Sequence, residues 1–96
     1  MDPSPLKLMF YYVYLLYSEK YGKFYIGYTE NMQIRIGQHN NEESYWTKRY
    51  IPWRVIYFEE YRSKVDALNR EKQLKRFAKG MAQLKLRLSD TLKLQR

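Results

Sequence analysis

Glu71 stands in the middle of an apolar stripe. On a wheel of 100° per residue with Ala67 at 0°, Leu74 falls near −20°, Ala78 near 20° and Glu71 near 40°. An unpaired carboxylate in such a place costs on the order of several kcal/mol, so it requires a cation or hydrogen-bond donors. A core arginine such as Arg35 would satisfy it, and so would a metal ion; the residues alone leave both open. Lys72, Lys75, Arg76 and Lys79 cover roughly 80° to 180° of the same wheel and flank the acid. Phosphates could meet them there. A merely solvated face is the plain alternative, and the one-sided sign without compensating acids weighs against it.

Cysteine is absent and His39 is the single histidine. That removes disulfide frameworks, thiolate zinc sites, a cysteine nucleophile and His-rich metal centres, so any metal must rest mainly on carboxylates. Eighteen Lys and Arg face ten Asp and Glu, for a formal charge of +8. Residues 1–61 carry seven side chains of each sign, whereas residues 62–96 carry eleven basic and three acidic ones. A basic last third beside a neutral body suits a polyanion such as nucleic acid, or an anionic membrane surface. No apolar run approaches the roughly 18 residues of a membrane span. The opening Met1-Asp2-Pro3-Ser4-Pro5 lacks the basic and apolar parts of a secretory signal. The reading is a soluble, cytoplasmic protein.

Eleven tyrosines are a large excess for so short a chain, and several of them can simply pack, since the phenol ring fits pleated, half-buried surfaces. Tyr12 and Tyr14 share one face of a strand, and Tyr25 points to the same side as Gly27. A glycine there leaves a gap of the kind that admits a ligand or another backbone. Tyr45, Trp46 and Tyr50, beside Lys48 and Arg49, could stack on unpaired bases. They could equally pack their own loop over a sheet.

The elements that must position these residues follow from pattern. Ninety-six residues, 45% of them apolar, support one domain with a modest core; residues 1–8 read as a disordered leader and 9–96 as the domain. Residues 10–17, aromatic and β-prone, form a buried strand. Residues 18–22 make a hairpin turn and residues 23–28 an antiparallel second strand. Thr29 is the expected N-cap of a helix from Glu30 to about Asn40. Met32, Arg35, Ile36 and His39 share an arc of about 100° there, so Arg35 and His39 dock on the sheet. Residues 40–52 form an ordered loop and residues 53–60 the third strand. A helix runs from Ser63 to about Lys79; Gly80 interrupts it, and Met81, Leu84, Leu88 and Leu92 mark a last amphipathic helix. The order β-β-α-β-α-α defines a small α/β (α+β) domain.

Tyr12-Val13-Tyr14, eleven residues before Tyr25-Ile26-Gly27, resembles the paired signature of the GIY-YIG nuclease superfamily. The likeness continues through Tyr28-Thr29-Glu30-Asn31-Met32, Arg35, His39-Asn40, Pro52-Trp53, the strand from Val55 to Glu60 and the helix from Ala67 to Lys75. It covers about residues 10–80 and is similar to the small stand-alone bacterial members. The resemblance implies a three-stranded antiparallel sheet flanked by helices, cutting DNA with one divalent metal, Mg²⁺ or Mn²⁺. By position Glu71 would be the metal ligand, Tyr25 the group that takes the proton of the attacking water, and Tyr14 the tyrosine that orders the site. Arg35 would meet the scissile phosphate, with His39 in support. Lys72, Lys75, Arg76, Lys79, Lys48 and Arg49 would contact nucleic acid.

A free tyrosine has a pKa near 10, so about one in a thousand is ionised at pH 7. Arg35 and the metal would both favour the Tyr25 phenolate, and activity should rise toward alkaline pH. Two departures stand out: Tyr12 replaces the signature glycine and adds bulk near the site, and Val13 replaces isoleucine. The expected activity is a metal-dependent endonuclease on DNA, with branched, flapped or damaged structures, and hence repair, as the setting. The basic tail alone gives little sequence selectivity, so a protein partner would have to supply it. A non-catalytic nucleic-acid-binding module on the same fold is the alternative, a protein-interaction domain with an acidic partner is a third, and RNA stays open as a substrate.

Overall fold

The computed structural model describes residues 9–44 and 46–95. The expected leader, residues 1–8, and Tyr45 lie outside the described residues. The aromatic run near the N-terminus becomes β1 (Tyr11–Ser18), and the next β-prone segment becomes β2 (Lys23–Thr29). Between them Gly22 adopts φ 62°, a left-handed conformation that glycine takes without Cβ strain, and its N–H donates to the Ser18 carbonyl. β3 (Arg54–Tyr61) lies on the other side of β1. The sheet order is β2-β1-β3, antiparallel throughout. Tyr14 is opposite Gly27 on one side and Phe58 on the other. A bulge opposite Leu15 and Leu16 inserts Ile56 into β3, so that Ile56 and Tyr57 both pack on one core while Val55 joins the other.

Strand alternation sends Val13 and Leu15 to one face and Tyr14 and Leu16 to the other. The first face, with Ile26, is covered by Ala67 and Leu74 of α2 (Lys64–Arg76) and by Leu84 of α3 (Ala78–Arg87). Leu88, at the junction with the short α4 (Ser89–Lys93), completes that core. The second face is covered by Met32 and Ile36 of α1 (Met32–Asn40), together with Tyr50, Ile51 and Trp53 from the connection to β3. That connection contains one 3₁₀ turn (Thr47–Tyr50) and a cis Ile51–Pro52 peptide.

Three local expectations change. The cap of α1 is Asn31, not Thr29: the Asn31 Oδ1 accepts from the Ile34 N–H at 3.1 Å. Thr29 instead uses its hydroxyl to accept from the Asn31 N–H at 3.0 Å, a local turn that sets up the cap behind it. The second helix stops at Arg76, three residues early, because Phe77 is extended (φ −116°, ψ 107°). Gly80 lies inside α3 and does not interrupt it. A Cβ there would come within 3.2 Å of the Gln73 carbonyl oxygen, so glycine lets α3 double back over the last turn of α2. The final amphipathic segment is therefore two helices, α3 and α4. Among the described residues no helix is long and apolar enough to cross a membrane.

Candidate active site

Gly27 is where the site begins. A Cβ on Gly27 would sit 2.2 Å from both Cζ and the phenolic oxygen of Tyr14, its cross-strand partner. The gap expected beside Tyr25 is thus filled by the Tyr14 ring, not by a ligand or a backbone. Only glycine in β2 allows Tyr14 to lie flat across the strand with its oxygen under α1. Tyr14 is 1% exposed.

The Tyr14 oxygen meets two side chains of α1. It lies 2.8 Å from His39 Nε2, and it accepts from Arg35 Nε at 3.3 Å. Arg35 also donates from Nη1 to Gln38 Oε1 at 2.9 Å, which fixes the plane of its guanidinium. The four-residue spacing of Arg35 and His39 puts both on the face that docks on the sheet, as the wheel requires. On its far side His39 Nδ1 lies 2.7 Å from Thr47 Oγ1. The Tyr25 ring packs edge-on to His39 at 5.0 Å and stacks with Trp46 at 5.8 Å.

Glu71 reaches the cluster from the other side of the sheet. Along α2, Arg70 forms an ion pair with Glu59 of β3, while the charge of Glu71 acts on Tyr28 of β2 and Tyr14 of β1. The Glu71 side chain is 21% exposed, and its partner is Lys75 at 3.1 Å, one helical turn on, not Arg35. Lys75 in turn sits 5.3 Å above the centre of the Tyr25 ring. It is drawn in toward the acid and the tyrosine rather than simply facing outward. Lys72, Arg76 and Lys79 are exposed, but Lys79 belongs to α3, so the four do not form one helical face. Lys48 and Arg49 are exposed on the 3₁₀ turn.

Burial and charge set the protonation states. Burial pushes the Tyr14 phenol up to about 12; the Arg35 guanidinium pulls the other way, while Tyr25 and Glu71 add to the rise. His39 falls to about 4, first because it is buried and then because Arg35 and Lys75 are positive neighbours. At neutral pH both groups are uncharged.

Trp46 is half exposed yet packs against Tyr25, Tyr50 and Trp53. The loop does pack over the sheet with its own aromatics, and part of the Trp46 ring remains open to solvent. Tyr12 packs edge-on to Phe58 at 6.1 Å, on the β3 side. There it floors a groove of about 520 Å³ between Glu30, Asn31 and Gln33 on one wall and Phe58 and Glu60 on the other. Its bulk lies along that groove.

Pattern reasoning did not find Thr47, Gln38 or the approach of Lys75 to Tyr25. Thr47 sits in an irregular connection where no periodicity operates, so no sequence signal marks it. Lys75 was visible as the residue four beyond Glu71, a spacing that favours an ion pair.

The geometry can be set beside known proteins. The model of the GIY-YIG catalytic domain matches residues 10–81. A UPF0213 protein of Staphylococcus saprophyticus is 35% identical over 79 residues, covering 81% of this chain and 92% of its own. A UPF0213 protein of Staphylococcus haemolyticus is 36% identical, covering 72% of this chain and 84% of its own. One from Streptococcus pneumoniae serotype 4 is also 36% identical, covering 68% and 66%. No solved structure matches the chain. With the sheet order, the Tyr14–Gly27 pairing and a match across three quarters of the sequence in agreement, the chain belongs to the GIY-YIG catalytic domain family, a nuclease superfamily.

Proposed function

We propose that this protein is a divalent-metal-assisted endonuclease that hydrolyses DNA phosphodiesters, with branched, flapped or damaged DNA as its substrate class. One observation carries the reading: two strands and two helices bring Tyr14, Tyr25, Arg35, His39 and Glu71 to one place, with Lys75 between Glu71 and Tyr25.

Phosphodiester hydrolysis needs a water that loses a proton, a fixed phosphate, and neutralisation of the charge that builds on the phosphate and leaving oxygens. The protonation states of two neighbours support Tyr25 for the first task. Tyr14, raised to about 12, keeps its proton, and His39, lowered to about 4, resists a second one. Tyr25 is less buried than Tyr14, beside Arg35 and beneath Lys75, and in its phenolate form its oxygen takes the water proton and becomes the phenol. Arg35, held by Tyr14 and Gln38, offers the donors it has left to a phosphate oxygen.

Glu71 is the carboxylate available to a metal ion. Among the described residues no group of three or more acidic, His or Cys side chains gathers to hold one. A single carboxylate suits Mg²⁺ or Mn²⁺, hard cations that keep most of their waters and take the rest of their ligands from phosphate. Bound there, the ion would neutralise charge on the phosphate and the leaving oxygen. Lys72, Arg76, Lys79, Lys48 and Arg49 supply contacts to the nucleic-acid backbone.

The test is cleavage of a panel of linear, flapped and branched DNA with Mg²⁺ or Mn²⁺, for wild type and Glu71→Ala, each with an EDTA control. Metal-dependent cutting that disappears in the variant supports the proposal. Tight, salt-sensitive binding by both proteins with no cutting would replace it with a binding module.

A further inference from the structure

The geometry points to Thr47 as a positioning residue for Tyr14, acting through His39: its hydroxyl donates to His39 Nδ1, which places the imidazole hydrogen on Nε2, aimed at the Tyr14 oxygen. The inference rests on the nuclease reading for its consequence in catalysis, but not for the arrangement itself.

The hydrogens available to this cluster decide the arrangement. Arg35, Tyr14, His39 and Thr47 form a chain with three contacts, at 3.3, 2.8 and 2.7 Å. With His39 neutral, four hydrogens belong to that chain: the Arg35 Nε–H, the phenol, one imidazole N–H and the threonine hydroxyl. Arg35 can only donate. One hydrogen is therefore in surplus, and it must lie at one of two places. If His39 carries its hydrogen on Nδ1, it donates to Thr47, and the threonine hydrogen needs another acceptor. Thr47 is 0% exposed, and among the described residues its hydroxyl has His39 as its only partner. That arrangement buries an unsatisfied donor. If Thr47 donates instead, His39 Nε2–H and Arg35 Nε–H both donate to the Tyr14 oxygen. The surplus hydrogen is then the phenol's own.

The second arrangement gives Tyr14 a defined role. Its oxygen is held by two donors, and its hydrogen is left for an oxygen of the substrate. Thr47 is itself fixed. Its carbonyl accepts from Trp53 Nε1 at 2.8 Å. The main chain of Trp53 is clamped by the side chain of Asn40, the neighbour of His39, through contacts of 2.9 and 2.6 Å. The loop thus closes on α1 from both ends, and the hydroxyl is presented to the imidazole by a rigid support.

The full chain, labelled with ¹⁵N, tests this directly, because its one histidine gives the only imidazole signals. At pH 7 the wild-type ring should carry hydrogen on Nε2 and none on Nδ1, and Thr47→Ser should preserve that. Thr47→Val, which leaves Nδ1 without its donor, should change the ¹⁵N signals of the ring and lower kcat for DNA cleavage about tenfold or more, with KM little changed. A wild-type ring protonated on Nδ1 overturns the inference, and so does a Thr47→Val protein with unaltered ring signals, whatever its activity. If the valine variant does not fold, the wild-type and serine rings decide. If no form of the protein cuts DNA, the nuclease reading falls while the ring signals still judge the arrangement.

Discussion

Acidifying the solution should destabilise this protein through a single side chain. His39 is 0% exposed, and its pKa falls from 6.5 to about 4. The unfolded chain therefore takes up a proton near pH 6.5, which the native chain refuses until about pH 4. Between those values the unfolded state binds more protons, so stability falls as the pH falls. The stabilisation is present in full above pH 6.5 and gone below about pH 4. Linkage gives a loss of about 2 kcal/mol by pH 5 and about 3 kcal/mol over the whole window. The chain has no other histidine and no cysteine, so little else titrates between pH 5 and 7. Glu59, whose carboxylate is partly desolvated but held low by Arg70, Tyr57 and Tyr61, contributes its own loss only at more acidic pH. Urea denaturation at pH 7, 6, 5 and 4.5 is the assay. With m of about 1–2 kcal/mol/M, the midpoint should drop by about 1–2 M between pH 7 and 5. His39→Gln should be less stable at pH 7 but lose the slope. A wild-type midpoint that stays level from pH 7 to 5, or a variant that keeps the slope, would refute the reasoning.

Three further outcomes follow from the same geometry. Glu71→Gln should abolish cleavage by a factor of about 10² or more while leaving DNA affinity within a few-fold and melting nearly unchanged, since an i,i+4 ion pair on a partly exposed helix face is worth only about 0.3–0.5 kcal/mol; cleavage, binding and thermal melts measure all three. Gly27→Ala should cost about 3 kcal/mol or displace the Tyr14 ring, because the added carbon would meet that ring at 2.2 Å; a melt together with near-ultraviolet circular dichroism would report it. Arg70→Met should destabilise the domain by about 3 kcal/mol, because it strips the partner at 2.9 Å from Glu59, whose side chain is only 14% exposed; a melt that does not move would show that Tyr57 and Tyr61 suffice.

Much of the fold was legible because burial and alternation coincide. The run from Tyr11 to Ser18 has no wet face, and it is the central strand, covered on both sides. The wheel position of Glu71 correctly marked a carboxylate that needs a cation, though it could not say which. Lys75 won over Arg35 because it rides the same helix, while Arg35 lies under α1 with Tyr14 and Gln38. The end of α2 was hidden for a related reason. Ala78 continues the apolar stripe on paper, but it is exposed, and Leu84 and Leu88 reach the core only because the chain turns at Phe77. A wheel assumes a continuous helix and cannot register that turn. Thr47 was hidden more deeply, since its contact with His39 depends on how an irregular loop closes.

The division into two cores explains why the candidate site can be both rigid and reachable. α1 and the loop that follows it cover one face of the sheet, and α2 and α3 cover the other. A site made on either face alone would be buried in its own core. Here Tyr14 and Tyr25 belong to the face under α1, whereas Glu71 is carried by α2 on the opposite face. They can act together only around β2, the edge strand, across which Gly27 lets the Tyr14 ring lie. The buried polar groups sit inward, where Tyr14, His39 and Thr47 satisfy one another. Glu71, Lys75 and Tyr25 sit at the rim, half-buried to exposed, where a phosphate can be met. Among the described residues no further strand covers the short β2 edge, and the arrangement needs that edge open, so anything that pairs with β2, including a second copy of the chain, should compete with substrate.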